Sequence, residues 1–165
     1  MSKVRSPKRI AVALAVSVLL SLSLAGGAYA DSSEDIATGA LTPPPPVELN
    51  LNSSINLLAY TYLLNYSSSI SKVGSTQVSI SGFTGAGQTV DQIGISYIIQ
   101  RWTGSEWVDI GSSSDSGTNR SSLSGVKNFS VTAGYYYRGK TTHWVSKSGT
   151  YESGNFTTNS VLVEK

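Results

Sequence analysis

A chain of 165 residues with 12 basic, 10 acidic and no cysteine residues is long enough to bury one core, and it must do so without disulfides. Four of the basic residues and none of the acidic ones fall in positions 1–30, so the remainder carries a formal net charge of −2. No Lys/Arg cluster is left there to neutralise a row of phosphates, which excludes a charge-built nucleic-acid surface.

Lys3, Arg5, Lys8 and Arg9 precede an apolar run over 10–24 and then Ala28-Tyr29-Ala30. A basic start, an apolar middle and an A-x-A site predict a secretory signal peptide at 1–30, cleaved after Ala30. The run is shorter than the roughly 20 apolar residues of a membrane-spanning helix. The mature product is therefore expected to be extracellular and free of the membrane.

Residues 31–46 end in Pro43-Pro44-Pro45-Pro46. Prolines have no N–H to donate and favour an extended polyproline helix, which predicts a disordered or semi-rigid spacer. A ligand for a proline-binding domain is the less favoured reading of the same run. Residues 47–68 are apolar but ambiguous. Val47, Leu49 and Leu51 alternate like a strand, whereas 57–64 has no clean period and fits a buried strand or a short helix.

From residue 69 onward, Gly, Ser, Thr and Asn clusters separate short β-branched and aromatic runs. The expected strands are 77–83, 92–102, 106–111, 121–132, 135–145 and 156–163. With the 47–68 segment they make about seven, the pattern of an all-β antiparallel sandwich. Thr103-Gly104-Ser105 predicts a hairpin in which Trp102 faces Trp107, Gln100 faces Asp109, Arg101 faces Val108, Ile98 faces Gly111 and Ile99 faces Ile110. Ile93, Ile95, Tyr97, Ile99 and Ile110 then form the core side. In 135–142, Tyr135, Tyr137, Gly139 and Thr141 share one face and Tyr136, Arg138, Lys140 and Thr142 the other. The face free of charge is expected inward.

The run from Val131 to Arg138, with Gly134 at a corner before Tyr135, resembles the entry to strand F of immunoglobulin-like and fibronectin type III-like sandwiches. The missing disulfide favours the fibronectin-like variant, and Gly139 departs from the pattern, which would have a β-branched core residue. A second resemblance covers about 70–163. It rests on the order of Val78-Ser79-Ile80-Ser81-Gly82-Phe83-Thr84, Asp91-Gln92-Ile93-Gly94, Ile99-Gln100-Arg101-Trp102, Gly134-Tyr135-Tyr136-Tyr137-Arg138, His143 and Tyr151-Glu152-Ser153. These pieces are similar to an uncharacterised family of small secreted proteins of Gram-positive spore-forming bacteria. That resemblance implies export and a small β domain, and no activity.

Catalytic chemistry is sparse. His143 is the only histidine, and the G-x-S-x-G elbow of serine hydrolases is absent. Glu152 lies across an expected turn at 146–149, so a pair with His143 that fixes the turn is favoured over a hydrolase centre. No metal set or cofactor motif is present. Asp115-Ser116-Gly117-Thr118-Asn119 resembles half a calcium loop but reads as a turn, and Gly82, Gly85 and Gly87 read as turns or bulges.

What remains is a face. If strands 92–102, 106–111 and 135–145 share a sheet, their outward side carries Ile98, Gln100, Trp102, Trp107, Asp109, Tyr136, Arg138 and Lys140. Trp, Tyr and Arg dominate binding hot spots. The expectation is a secreted, non-catalytic recognition or adhesion module using Trp102, Trp107, Tyr136, Arg138, Gln100 and Asp109 against a protein or glycan surface. A carbohydrate-binding domain stacking sugars on Trp102, Trp107 and Tyr136 is the first alternative, and a hydrolase using His143 the second.

Overall fold

The computed structural model describes residues 36–47 and 60–165. The expected signal peptide and residues 48–59 of the apolar segment lie outside them. Among the described residues, six strands form one antiparallel sheet: β1 Leu63–Lys72, β2 Gln77–Trp102, β3 Trp107–Ser130, β4 Tyr135–Lys147, β5 Thr150–Thr157 and β6 Val161–Val163. The last part of the 47–68 segment is thus strand, and the all-β antiparallel expectation holds.

The division into short strands does not hold. Residues 77–83 and 92–102 belong to the single 26-residue β2, and 107–111 and 121–130 to the 24-residue β3. The polar residues between them are bends in a continuous ladder. Asp115 pairs with Ile95 and Thr118 with Gln92, so the stretch read as a turn is strand, and Asn119 alone turns left-handed, at φ 51°. The expected strand 156–163 is instead parts of two, β5 and β6, separated by the link 158–160.

β2 is the spine. Its first half pairs with β1 and the end of β3; its second half pairs with β4 and the start of β3. β4 carries β5 and β6 on its other edge. The β2–β3 register shifts between Gly85 and Val90, and an irregularity of this kind bends a strand and increases its twist. The sheet curls there into a half-barrel, and no second, separate sheet forms among the described residues.

The curl makes one core. Val78 and Ile80 from the first half of β2 join Ile93, Ile95, Tyr97 and Ile99 from the second half, with Tyr137 and Val145 from β4. Glycine sets the spacing: a Cβ on Gly139 would sit 3.0 Å from Ile80 Cδ1, and one on Gly82 3.2 Å from Ile95 and Tyr97. Gly139 therefore stands where a β-branched residue was expected because Ile80 occupies that volume.

The register of β4 is as expected. Tyr137 is fully buried and Tyr135 half-buried at the core margin, but Tyr136 and Arg138 are half-buried rather than open. The Tyr137 hydroxyl donates to the Thr132 carbonyl at 2.7 Å and accepts from the Thr132 N–H at 3.1 Å, closing the corner in which Gly134 has φ 94°.

In the β2–β3 hairpin, Trp102 faces Trp107, Arg101 faces Val108 and Gln100 faces Asp109. Beyond that pair the ladder slips by one. Ile99 faces Gly111 and Ile98 faces Ser112, so Ile110 bulges outward and is 40% exposed. This corrects its placement in the core: Ile99 and Phe129 lie over Gly111, within 3.2 and 3.7 Å of where its Cβ would stand.

Candidate functional site

The outward aromatic cluster is assembled by the hairpin turn and β4. Thr103 Oγ1 accepts from the N–H groups of Ser105 and Glu106, and Gly104 takes φ 104°, so the turn closes and sets the two tryptophans opposite each other. Their ring centroids are 5.4 Å apart at 53°. The β2–β4 ladder sets Arg138 opposite Gln100. Arg138 Nε donates to Gln100 Oε1 at 2.7 Å, Gln100 Nε2 donates to Asp109 Oδ1 at 2.6 Å, and the guanidinium lies 4.3 Å over the Trp107 ring. Five of the six expected residues are thereby brought together. Tyr136 lies one residue past the last β2–β4 pair, Arg101–Tyr137, and faces Leu162 of β6 on the other edge of β4.

Trp102 and Gln100 were expected on an open face, yet they are only 6% and 5% exposed. The cover over Trp102 is the proline run. Trp102 Nε1 donates to the Pro43 carbonyl at 3.1 Å, and Thr42 is buried against the hairpin loop near Gly104. Two backbone bonds fix the approach: the Leu41 N–H donates to the Gly134 carbonyl at 2.7 Å, and the Lys165 N–H to the Gly39 carbonyl at 3.1 Å. In place of a free spacer, residues 39–47 form a strap. A polyproline segment keeps every carbonyl available, which suits it to an indole donor.

The strap leaves a cleft of about 210 Å³ between Pro45, Pro46 and Val47 on one side and Thr158, Asn159 and Ser160 on the other, with Trp107 and Arg138 in its lining. Thr158 is held by β4, since its Oγ1 accepts from the Gly139 N–H and its own N–H donates to the Gly139 carbonyl, both at 2.9 Å. The Trp107 indole N–H is buried without a hydrogen-bond partner among the described residues. Thr42, Pro43 and the 158–160 link are the members of this site that sequence reasoning missed. The only signal was a proline run in a chain that also carries two tryptophans five residues apart.

His143 occupies a different place. It is fully buried on the inner face of β4, stacked against Tyr66 with centroids 5.1 Å apart. Its Nδ1 is 2.8 Å from Thr84 Oγ1, and its Nε2 is 3.0 Å from Ser68 Oγ and 2.9 Å from Thr141 Oγ1. Thr84 also bonds the Gly94 carbonyl, so its hydroxyl proton goes there and it accepts from Nδ1–H, which leaves Nε2 to accept from a hydroxyl. Every partner is neutral, and burial pushes the imidazole pKa down to about 4.

The expected bond between His143 and Glu152 is not made. His143 faces Gly154 across the β4–β5 hairpin, and Glu152 faces Val145. The Glu152 carboxylate accepts instead from the backbone N–H groups of Thr61, Tyr62 and Leu63, at 2.7, 2.8 and 2.7 Å. Desolvation works to raise its pKa, but those backbone bonds outweigh it and hold the group below its ordinary value. Glu152 fixes the entry to β1. The turn was rightly placed, with Ser148 and Gly149 both left-handed.

Comparison with known proteins returned no matching family model, no matching curated protein and no matching solved structure.

Proposed function

We propose that the chain is a secreted, non-catalytic recognition or adhesion module that binds a partner protein at the cleft between the strap and residues 158–160. One observation carries the reading. Trp107 and Arg138, residue types that dominate binding hot spots, meet beside an open cleft and are held from behind by Gln100 and Asp109. A cation over an indole contributes about 0.5–2 kcal/mol and fixes the orientation of both groups before a partner arrives.

The glycan alternative needs free ring faces for stacking. Trp102 is under the strap and one face of Trp107 is taken by Arg138, which favours a protein ligand. The hydrolase alternative needs a carboxylate to orient the base. His143 has three hydroxyl partners and Glu152 is engaged with three backbone donors, which favours a non-catalytic role. Export rests on the pattern of residues 1–30. An immunoglobulin-like sandwich is supported by two features: the first half of β2 packs over its second half and β4 as a second layer would, and the Tyr137 hydroxyl reaches back to Thr132 as in a tyrosine corner. The likeness to secreted proteins of Gram-positive spore-formers rests on the order of sequence motifs.

The test is a binding screen of the purified secreted chain against peptide and glycan arrays. Wild type should select peptides. Trp107→Ala should stay folded, lose about 1–3 kcal/mol of stability with its ring and cation contacts, and bind the selected peptides at least tenfold more weakly. Glycan selection, or peptide binding indifferent to Trp107→Ala, overturns the reading.

A further inference from the structure

We propose that the Trp102–Trp107 surface is a receptor for extended proline-rich segments of a partner protein, and that the strap, which lies on Trp102 and forms one wall of the cleft beside Trp107, is its resident, displaceable occupant. This rests on the recognition reading above and names its ligand. The argument begins with what already sits there. Four consecutive prolines approach a pair of tryptophans, and the contact made by Trp102 is an indole N–H bonded to a proline-segment carbonyl. Aromatic grooves recognise polyproline in this way: the rings pack on the preformed helix, while an indole donor reads a backbone carbonyl that has no competing intrachain bond.

The resident strap is an incomplete ligand. Trp107 lines the same cleft as Pro45 and Pro46, yet its indole N–H is buried without an acceptor, and so is Thr42 Oγ1. A buried unsatisfied donor is unfavourable, and a segment that offers a carbonyl to Trp107 as well as to Trp102 relieves it. Beside Pro45 and Pro46, the cleft of about 210 Å³ is left unfilled by the described residues. A partner segment can therefore make bonds the strap does not. The strap's advantage is its tether: anchored at Gly39 and Leu41, it competes at an effective concentration on the order of millimolar.

The experiment uses the full chain and two synthetic peptides, one with the sequence of residues 39–47 and one with its four prolines replaced by serine. In wild type the peptide must displace the strap, so its apparent Kd should be millimolar or weaker. The variant Pro43→Ser/Pro44→Ser/Pro45→Ser/Pro46→Ser should bind the proline peptide at least tenfold more tightly than wild type, with a change in tryptophan fluorescence, and should ignore the serine peptide. Adding Trp102→Phe, which keeps a ring and removes the indole donor, should abolish most of that gain. A milder release, Pro44→Gly/Pro45→Gly, provides the same comparison should the fourfold variant lose its native circular dichroism. A folded, released variant that binds neither peptide overturns the proposal, as does one that binds both equally. Self-association of wild type through its own strap, without peptide binding, assigns the cleft to a second copy and also overturns it. If array peptides lacking proline bind in a Trp107-dependent way while the proline peptide does not, the recognition reading stands and this inference alone falls.

Discussion

Acidification should destabilise the protein through its only histidine. His143 is fully buried, with Tyr66 stacked on its ring and hydroxyls from Ser68, Thr84 and Thr141 around it. No carboxylate is among those partners to offset a charge. The unfolded imidazole titrates near its ordinary value of 6.5, and the folded one at about 4. Between those values the unfolded chain binds a proton that the folded chain refuses, so stability falls as pH falls, and the contribution is complete only above 6.5. The loss between pH 7 and pH 5 should be about 2 kcal/mol, with a slope that peaks at about 1.2 kcal/mol per pH unit near pH 5.3, midway between the two values. Urea unfolding at half-unit steps of pH measures it. A single-histidine chain gives one imidazole signal in proton NMR, so its folded-state titration is read without assignment. His143→Gln, whose amide can still bond the hydroxyls, should flatten the slope. A folded-state titration between pH 6 and 7, or equal stability at pH 7 and pH 5, would refute the reasoning.

Two further outcomes follow from neighbouring contacts. Glu152→Gln replaces a carboxylate that accepts three backbone bonds with an amide whose N–H₂ opposes one of them; it should cost about 1–3 kcal/mol and speed hydrogen exchange at Leu63, and in wild type the same bonds should fail on acidification below pH 4.5 as the depressed carboxyl finally protonates. Gly154→Ala would place a Cβ well inside contact distance of the Tyr66 ring, so the ring must leave His143; the imidazole pKa should then rise toward its ordinary value, and an unchanged NMR titration would show that Tyr66 is not what keeps water out.

The faces of the strands were legible because their chemistry alternates. Ile93, Ile95, Tyr97 and Ile99 could point only inward together, and Arg138 had to leave the face that holds Tyr137. Strand length was not legible. Residues 112–122 are Ser, Gly, Thr and Asn with one Asp and one Arg, a composition that reads as loop. They remain strand because β2 offers a partner along nearly the whole stretch, and pairing overrides propensity. The same limit applies at Ile110: its hydrophobicity argued for the core, but Gly111 is the residue whose missing side chain admits Ile99 and Phe129, and the ladder slips to use it.

The site was legible by residue type and misjudged by exposure, and the two have one cause. The inner face is closed by glycines at 82, 139 and 154, each set against a large side chain from another part of the curled sheet. That close approach spends the small residues on the inside and leaves Trp102, Trp107, Gln100 and Arg138 together outside. An outward tryptophan pair must either stay wet or find a cover. Proline at 43–46 cannot join a ladder, so its carbonyls stay unbonded, and the Trp102 indole is a donor within reach of one of them. The sequence pattern that argues for a spacer, a segment unable to form sheet, is thus the property that lets the segment serve as a ligand. Trp107, whose indole the strap leaves unsatisfied, marks where a better ligand would go.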